Sequence, residues 1–172
     1  MVAVAVKVGE KRYRERGGRY FEEFEVGATY EHRPGRTVTE TDNTWFTLLT
    51  NNTHPIHYDG EYAKHTEFKQ RLVVSTLTLS IITGMSVSDM SQKAIANLGW
   101  TDIQLPKPVF AGDTLYAESE VLEKRPSKSR PGQGIVRFRT IGKNQRGEIV
   151  CSYERTILVM GKDNDIEAKA GY

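Results

Sequence analysis

The chain has 172 residues, a length that fits one domain with a sizeable hydrophobic core. Its formal net charge of +2 is too small to indicate a nucleic-acid-binding surface, and 38% apolar with 27% charged residues is typical of a soluble protein. The single cysteine, Cys151, excludes an intrachain disulfide.

Both ends of the chain are polar. Residues 1–18 are rich in Lys and Arg after an apolar run that is too short for a secretory signal. We therefore expect a flexible N-terminal tail over residues 1–18, one domain over 19–161 and a C-terminal tail over 162–172. Since no stretch approaches the roughly 20 apolar residues of a membrane span, we expect a cytoplasmic protein that is not embedded in a membrane.

The first regular element is a helix with a clear start signal. Thr39–Asp42 has the pattern of a capping box and precedes an apolar stretch. This predicts a helix from about Glu40 to Thr50 that turns Trp45, Leu48 and Leu49 inward.

A polar turn and a second helix follow. The turn reads NNTHPIHYD over residues 51–59, and Pro55 prevents a continuous helix through it. Glu61–Phe68 is long enough for one or two helical turns. Leu72–Asp89 repeats apolar residues at spacings of three and four and carries small or apolar residues on its other face, which predicts a buried helix.

The second half of the chain changes to a period of two. Asp113–Glu123 and Gly134–Lys143 alternate apolar and polar residues, as half-buried strands do, and Gly147 marks a hairpin turn. Glu148–Met160 and Ala94–Phe110 are predicted as further strands. Helices followed by an antiparallel meander predict an α+β domain in which a curved sheet wraps one buried helix.

Several stretches together resemble a known family: Leu49–Asp59, Glu61–Ala63 with Thr66–Phe68, and Pro108–Leu115. They are similar to the MaoC-like (R)-specific enoyl-CoA hydratases. Residues 41–59, 96–113 and 122–136 together look closest to the branch that acts on β-methylmalyl-CoA and mesaconyl-CoA. The resemblance implies the hotdog fold, an antiparallel sheet around a long central helix. It also implies an acyl-CoA substrate, a homodimer or higher homo-oligomer, and no metal or redox cofactor.

The resemblance further implies a catalytic Asp and His five positions apart, at positions that are Asn52 and His57 here. It assigns the backbone N–H of Ser75 to the thioester oxygen and a supporting role to Thr83. A carboxamide cannot act as a general base, whereas an imidazole titrates near pH ~6.5 and can both accept and donate a proton. Two arrangements stay open: Asn52 holds the water while His57 alone moves the proton, or His54 replaces the missing carboxylate.

Other polar residues have competing interpretations. His54 is favoured as an auxiliary, turn-capping residue, and Asp59 either orients His57 or simply begins the next turn. Arg71 is a candidate partner for a substrate carboxylate or one half of a surface ion pair. Lys128 and Arg130 belong to a basic loop that either binds the phosphates of coenzyme A or is a solvated hairpin loop.

Three functions remain open at this point. The leading hypothesis is a hydro-lyase that adds water to an enoyl-CoA, including branched dicarboxylic ones such as mesaconyl-CoA. A thioesterase is an alternative because hotdog proteins also hydrolyse acyl-CoA. A non-catalytic acyl-CoA-binding subunit is the third, and Asn52 is its main support.

Overall fold

A computed structural model describes residues 4–164 and 166–172. Its strands are β1 (Val4–Gly9), β2 (Arg12–Arg16), β3 (Thr29–Thr37), β4 (Ala94–Gln104), β5 (Thr114–Pro126), β6 (Gln133–Lys143) and β7 (Ile149–Met160). Its α-helices are α1 (Glu40–Leu49), α2 (Gly60–Lys64), α3 (Ser75–Met85) and α4 (Ile166–Ala170). Short 3₁₀ turns lie at Phe21–Glu23 and Pro55–His57, and a π-helical turn lies at Val87–Ser91.

Five strands form one antiparallel sheet in the order β3-β5-β6-β7-β4. The alternation that predicted these strands is confirmed on β5, where Leu115, Ala117, Ser119 and Val121 are all buried. Gly147 has a positive φ of 77° and closes the β6–β7 turn, as the sequence predicts. The observed architecture is therefore the α+β arrangement expected from the sequence.

Helix α3 packs across β3, β5, β6 and β7 and supplies the centre of the core. It is shorter than the predicted helix over Leu72–Asp89, because residues 72–74 are extended. There the N–H of Val73 donates to Val109 O at 2.9 Å. The close approach of α3 to β6 requires Gly142, since a Cβ at that position would lie 2.6 Å from Cδ1 of Ile82.

Helix α1 begins with the predicted capping box. The side chain of Thr39 accepts from the Asp42 N–H, and the Asp42 carboxylate accepts from the Thr39 N–H. The prediction of its inward face is wrong, however. The helix buries Asn43 and Thr47 and packs Phe46 against the core, and it exposes three other large apolar residues on the opposite side: Trp45 (64%), Leu48 (74%) and Leu49 (77%).

The two chain ends carry regular structure over their described residues. β1 and β2 pair as an antiparallel hairpin where the sequence predicts a flexible tail, and α4 lies within the predicted C-terminal tail. Residues 1–3 and 165 lie outside the described residues. Among the helices of the described ranges, none has the length and apolar composition needed to cross a membrane.

A buried polar network ties the π-helical turn to the sheet. His32 is 1% exposed, and its Nδ1 lies 3.1 Å from Oδ2 of Asp89 while its Nε2 lies 2.8 Å from Oγ of Ser119. Arg19 donates to Oδ1 of Asp89 at 3.1 Å, and Ser119 Oγ lies 2.7 Å from Oγ1 of Thr140. Because an ionised carboxylate only accepts, Nδ1 of His32 carries the hydrogen, and in the neutral ring Nε2 accepts from Ser119.

Candidate active site

The side chain of His57 is held by a backbone carbonyl. His57 ends the 3₁₀ turn Pro55–His57, and its Nδ1 lies 2.8 Å from the Leu72 carbonyl oxygen. A carbonyl only accepts, so Nδ1 carries the hydrogen in this contact. The neutral ring therefore keeps the lone pair on Nε2, which is the form that a general base requires.

Local sequence explains why this turn forms. Pro55 occupies the first position of the turn, where its missing N–H costs nothing, and Nδ1 of His54 accepts from the Ile56 N–H at 3.2 Å. The turn is also bonded to the chain before α3, because the Leu72 N–H donates to Ile56 O at 3.1 Å. The turn that carries His57 is thus bonded within itself and to the chain before α3.

His54 lies beside His57 but has a different environment. The two ring centroids are 5.9 Å apart with an interplanar angle of 64°. Since Nδ1 of His54 accepts a backbone hydrogen, the hydrogen of the neutral ring sits on Nε2. This geometry fits the capping role that the sequence favours for His54.

Asn52 is oriented by the same turn. Its Oδ1 accepts from the His54 N–H at 3.1 Å, and its backbone N–H donates to Thr47 O at 2.9 Å. With Oδ1 identified by its donor, the other end of the amide is Nδ2. Within the described part of the chain Nδ2 has no hydrogen-bond acceptor, so it is available to donate to a substrate or a water.

Asp59 and Arg71 are engaged in structural contacts. Oδ1 of Asp59 accepts from the N–H groups of Glu61 and Tyr62, both at 3.0 Å, and so caps α2 instead of bonding to His57. Arg71 forms an ion pair with Glu40 at 2.9 Å. For both residues, the structure matches the simpler of the two interpretations of the sequence.

The N-terminus of α3 lies next to this turn. The N–H of Val74 donates to Oδ1 of Asn43 at 2.9 Å, and the N–H of Thr78 donates to Val74 O. Ser75 and Thr76 are exposed, and over the described ranges their N–H groups form no hydrogen bond. These first-turn N–H groups and the positive end of the helix can stabilise a negatively charged oxygen.

A cavity of about 240 Å³ opens at this helix end. It lies between the start of α3 and the connection from β4 to β5. That connection is fixed by the Val73–Val109 hydrogen bond and by Asp113, whose carboxylate accepts from the Phe110 N–H at 3.0 Å. The cavity is lined by Phe68, Leu72, Val73, Ser75, Thr78, Leu105, Pro106, Lys107, Pro108 and Val109.

Three predicted site residues lie apart from the His57 turn in this chain. Thr83 is eight residues after Ser75, about 12 Å further along α3. Lys128 and Arg130 follow the end of β5, whose 13 residues span roughly 40 Å from the end nearest the cavity. Within one chain, the structure does not bring them to His57.

Comparison with known proteins identifies the family. Residues 4–172 match the family model described as mesaconyl-CoA hydratase. The chain belongs to the mesaconyl-CoA hydratase family.

Two curated relatives of this family member have related names. The mesaconyl-CoA hydratase of Cereibacter sphaeroides is 35% identical over 89% of this chain and 44% of its own length. The β-methylmalyl-CoA dehydratase of Chloroflexus aurantiacus is 32% identical over 88% of this chain and 43% of its own length. The chain therefore spans less than half of the length of these two relatives.

Solved structures agree with the fold. The monoamine oxidase regulatory protein from Archaeoglobus fulgius is 37% identical, with a TM-score of 0.74 over 86% of this chain and 97% of its own. A Mycobacterium tuberculosis protein described as having a double hotdog fold is 21% identical, with a TM-score of 0.78 over 86% of this chain and 46% of its own. The predicted hotdog fold of this family member is confirmed.

Asn43 is a site residue that the sequence interpretation missed. Its amide is 1% exposed and bonds to the backbone of the His57 turn and of the chain before α3. The available signal was its spacing of four from Thr47, which gives α1 a polar stripe. Large apolar residues on the other face mask this signal, because they predict that face as the buried side.

Proposed function

We propose that this chain reversibly adds water to the double bond of an enoyl-CoA thioester. The observation that carries the proposal is the contact of His57 Nδ1–H with the Leu72 carbonyl, which leaves Nε2 as a base. His57 lies beside the N-terminus of α3, where two N–H groups have no hydrogen-bond partner among the described residues. Hydration needs a base for water, a proton for the α-carbon and a donor for the developing enolate oxygen.

The chemistry follows from these groups. The N–H groups of Ser75 and Thr76 donate to the thioester oxygen and stabilise the negative charge that develops on it, and Nδ2 of Asn52 holds the attacking water. Water gives a proton to Nε2 of His57 as its oxygen bonds to the β-carbon. Nε2 then returns that proton to the α-carbon, so one water supplies both H and OH in a syn addition. Dehydration is the reverse sequence.

We propose mesaconyl-CoA, or β-methylmalyl-CoA in the reverse direction, as the substrate of this chain. The description of the family and the names of the two relatives support this choice. The cavity at the start of α3 also suits an acyl group with a second carboxylate. Among its described lining residues, Lys107 is the one charged side chain. Imidazole, carboxamide and backbone N–H groups supply the groups that the proposed reaction needs without a metal or redox cofactor. A cytoplasmic location stays a prediction.

The test is an assay of purified enoyl-CoA thioesters, including mesaconyl-CoA and crotonyl-CoA, followed by loss of conjugated thioester absorbance. We expect hydration, with mesaconyl-CoA turned over faster than crotonyl-CoA. Release of free thiol would instead support a thioesterase. An absence of turnover on every thioester would support the non-catalytic subunit.

Asn52→Asp tests the role of the amide. An ionised carboxylate still accepts from the His54 N–H but has no hydrogen to donate to water, so we expect kcat/KM for mesaconyl-CoA to fall by about tenfold or more. The neighbouring Asn51→Asp is the matched control, because Asn51 is exposed and has a φ of 53°, which Asp tolerates. Higher activity in Asn52→Asp would contradict the donor role and indicate a weakened acid–base pair.

We also propose that the chain forms a homodimer through the edge of β4. This edge strand exposes Leu98 (52%), Trp100 (41%) and Ile103 (44%), and an unpaired edge with apolar side chains favours association. The double hotdog fold of the Mycobacterium tuberculosis protein joins two hotdog units in one chain. A homodimer of this chain would likewise contain two hotdog units.

Light scattering tests the dimer. We expect twice the chain mass for the wild type and a shift towards the monomer for Ile103→Lys, because a buried ammonium at the edge is costly. Val26→Lys is the matched control, since Val26 is 55% exposed and lies outside β4. A monomeric wild type, or a dimer unaffected by Ile103→Lys, would contradict the proposed interface.

A further inference from the structure

A single buried amide connects the two halves of the candidate site. Asn43 donates from Nδ2 to His57 O at 2.7 Å and to Leu72 O at 3.1 Å, and its Oδ1 accepts from the Val74 N–H at 2.9 Å. We propose that Asn43 is a positioning residue that fixes the tautomer of His57 and the distance between this ring and the N-terminus of α3. This inference rests on the proposed hydration reaction.

The first step concerns the carbonyl of Leu72. It accepts two hydrogens, one from Nδ1 of His57 at 2.8 Å and one from Nδ2 of Asn43 at 3.1 Å. A carbonyl oxygen has two lone pairs, so both contacts can form together. Asn43 therefore orients the acceptor that selects the Nδ1–H form of His57, and with it the lone pair on Nε2.

The second step concerns the backbone of His57 itself. The other hydrogen of Nδ2 holds the His57 carbonyl at 2.7 Å, the shorter of the two donations from this amide. The main chain of His57 and the partner of its ring are thus bonded to the same planar group. While Asn43 binds the carbonyls of His57 and Leu72, the turn cannot shift relative to Leu72. A rotated His57 ring would therefore lose its hydrogen bond to the Leu72 carbonyl.

The third step concerns the helix end. Oδ1 of Asn43 satisfies the N–H of Val74, the residue immediately before α3. The next two N–H groups, those of Ser75 and Thr76, remain open to a ligand oxygen. Because one rigid amide binds the His57 turn at one end and Val74 at the other, it sets the separation between base and oxyanion donors.

Helix α1 is suited to hold Asn43 in place. Asn43 lies in its first turn, where its N–H donates to Thr39 O, and the capping box with Asp42 closes the helix start. Arg36 adds an ion pair to Asp42 at 2.7 Å. One turn later, Thr47 is also buried, but among the described residues its hydroxyl donates only to Thr44 O of its own helix. Thr47 is therefore a matched control on the same face.

The test is Asn43→Asp, which keeps the volume of the side chain and the acceptor for Val74. In its ionised form it has no hydrogen for the two carbonyls. We expect kcat to fall about 100-fold while KM changes less than about threefold, because a small displacement of a catalytic group has effects of this size. Thr47→Val should stay within about twofold of the wild type in both constants.

Nitrogen NMR of the imidazole rings supplies a readout that does not depend on turnover. The chain has four histidines, and the signal of His57 is the one missing in His57→Ala. We expect a single Nδ1–H tautomer in the wild type and in Thr47→Val, and a mixture of tautomers in Asn43→Asp. If Asn43→Asp does not fold, Asn43→Ser is measured instead, since it is too short to reach all three backbone groups.

The outcomes separate this inference from the proposed function. An unchanged His57 tautomer with an unchanged kcat in a folded Asn43 variant would overturn the positioning role, as would a rise in KM that accounts for the whole loss. A wild type that hydrates no enoyl-CoA, yet loses its single tautomer in Asn43→Asp, would overturn the proposed reaction and leave the positioning role in place.

Discussion

His57→Ala is expected to lower kcat/KM for hydration by about 1,000-fold or more. In the proposed reaction, the substitution removes the group that takes the proton from water and returns it to the α-carbon, and positioned acid–base groups contribute roughly 10²- to 10⁴-fold. The fold should survive, because the Leu72 carbonyl keeps its second donor, Nδ2 of Asn43. Steady-state kinetics with mesaconyl-CoA, together with a thermal unfolding curve, measure the two effects separately.

His54→Ala is the matched control for His57→Ala. The two rings are neighbours, but His54 uses Nδ1 to cap the turn, so its loss should cost less than about tenfold in kcat/KM. A small loss of thermal stability is also expected, because replacing a cap typically costs about 1 kcal/mol. If His54→Ala were the more damaging of the two, the assignment of His57 as the acid–base group would be wrong.

Asp89→Asn is expected to lower the free energy of unfolding by about 3 kcal/mol near neutral pH. Asp89 is buried and accepts hydrogens from both His32 and Arg19. The variant therefore leaves the guanidinium of Arg19 without its counterion. Removing one partner of a buried ion pair typically costs 3–5 kcal/mol, and Arg19 is partly exposed, which favours the lower end. Denaturant unfolding followed by fluorescence gives the value.

The same network makes stability depend on pH in a defined direction. Burial lowers the pKa of His32, and the hydrogen bond to Asp89 opposes this only partly, so the unfolded chain binds the proton more strongly. His32 therefore contributes its full stability above about pH 6.5 and loses it as the pH falls towards the lower folded-state pKa. The variant His32→Gln should have a flatter profile just below pH 6.5.

Asp89 causes a second loss of folding stability at a lower pH. Burial raises the pKa of Asp89, but its hydrogen bonds from His32 and Arg19 outweigh burial and hold the pKa below its ordinary range. This contribution is complete above about pH 3.9 and disappears as the pH falls through the folded-state value. Asp102→Asn is the matched control, because Asp102 is exposed, and its unfolding curve should match that of the wild type. Equal losses in both Asp variants would contradict the role of the buried network.

The strands of the second half were predictable because each has one buried face. The alternation along β5 appears directly in its burial, and the Gly147 turn follows from a residue that adopts positive φ. The end of α3 was less predictable. The predicted helix includes residues 72–74 and 87–89, but hydrogen bonds to the β4–β5 connection and a π-helical turn interrupt the regular helix there.

The candidate site divides in the same way. The positions of Asn52, His57 and Ser75 were identified through the resemblance to a known family, whose motif has this spacing along the chain. The hydrogen bonds that orient them were not visible. Leu72 and Asn43 reach His57 from 15 and 14 residues away, and no local pattern specifies which carbonyl or amide will meet the ring.

The sequence by itself determined the α+β class, the start of α1, the strand faces and the histidine turn, since all of these depend on neighbouring residues and their period. The tertiary structure alone decided which side of α1 is buried. One side of α1 carries Asn43 and Thr47, and the other carries Trp45, Leu48 and Leu49. Local periodicity alone favours burial of the apolar side. The polar stripe faces inward, where the Asn43 amide pairs with three backbone groups, because a buried backbone group left unpaired costs about 1–3 kcal/mol.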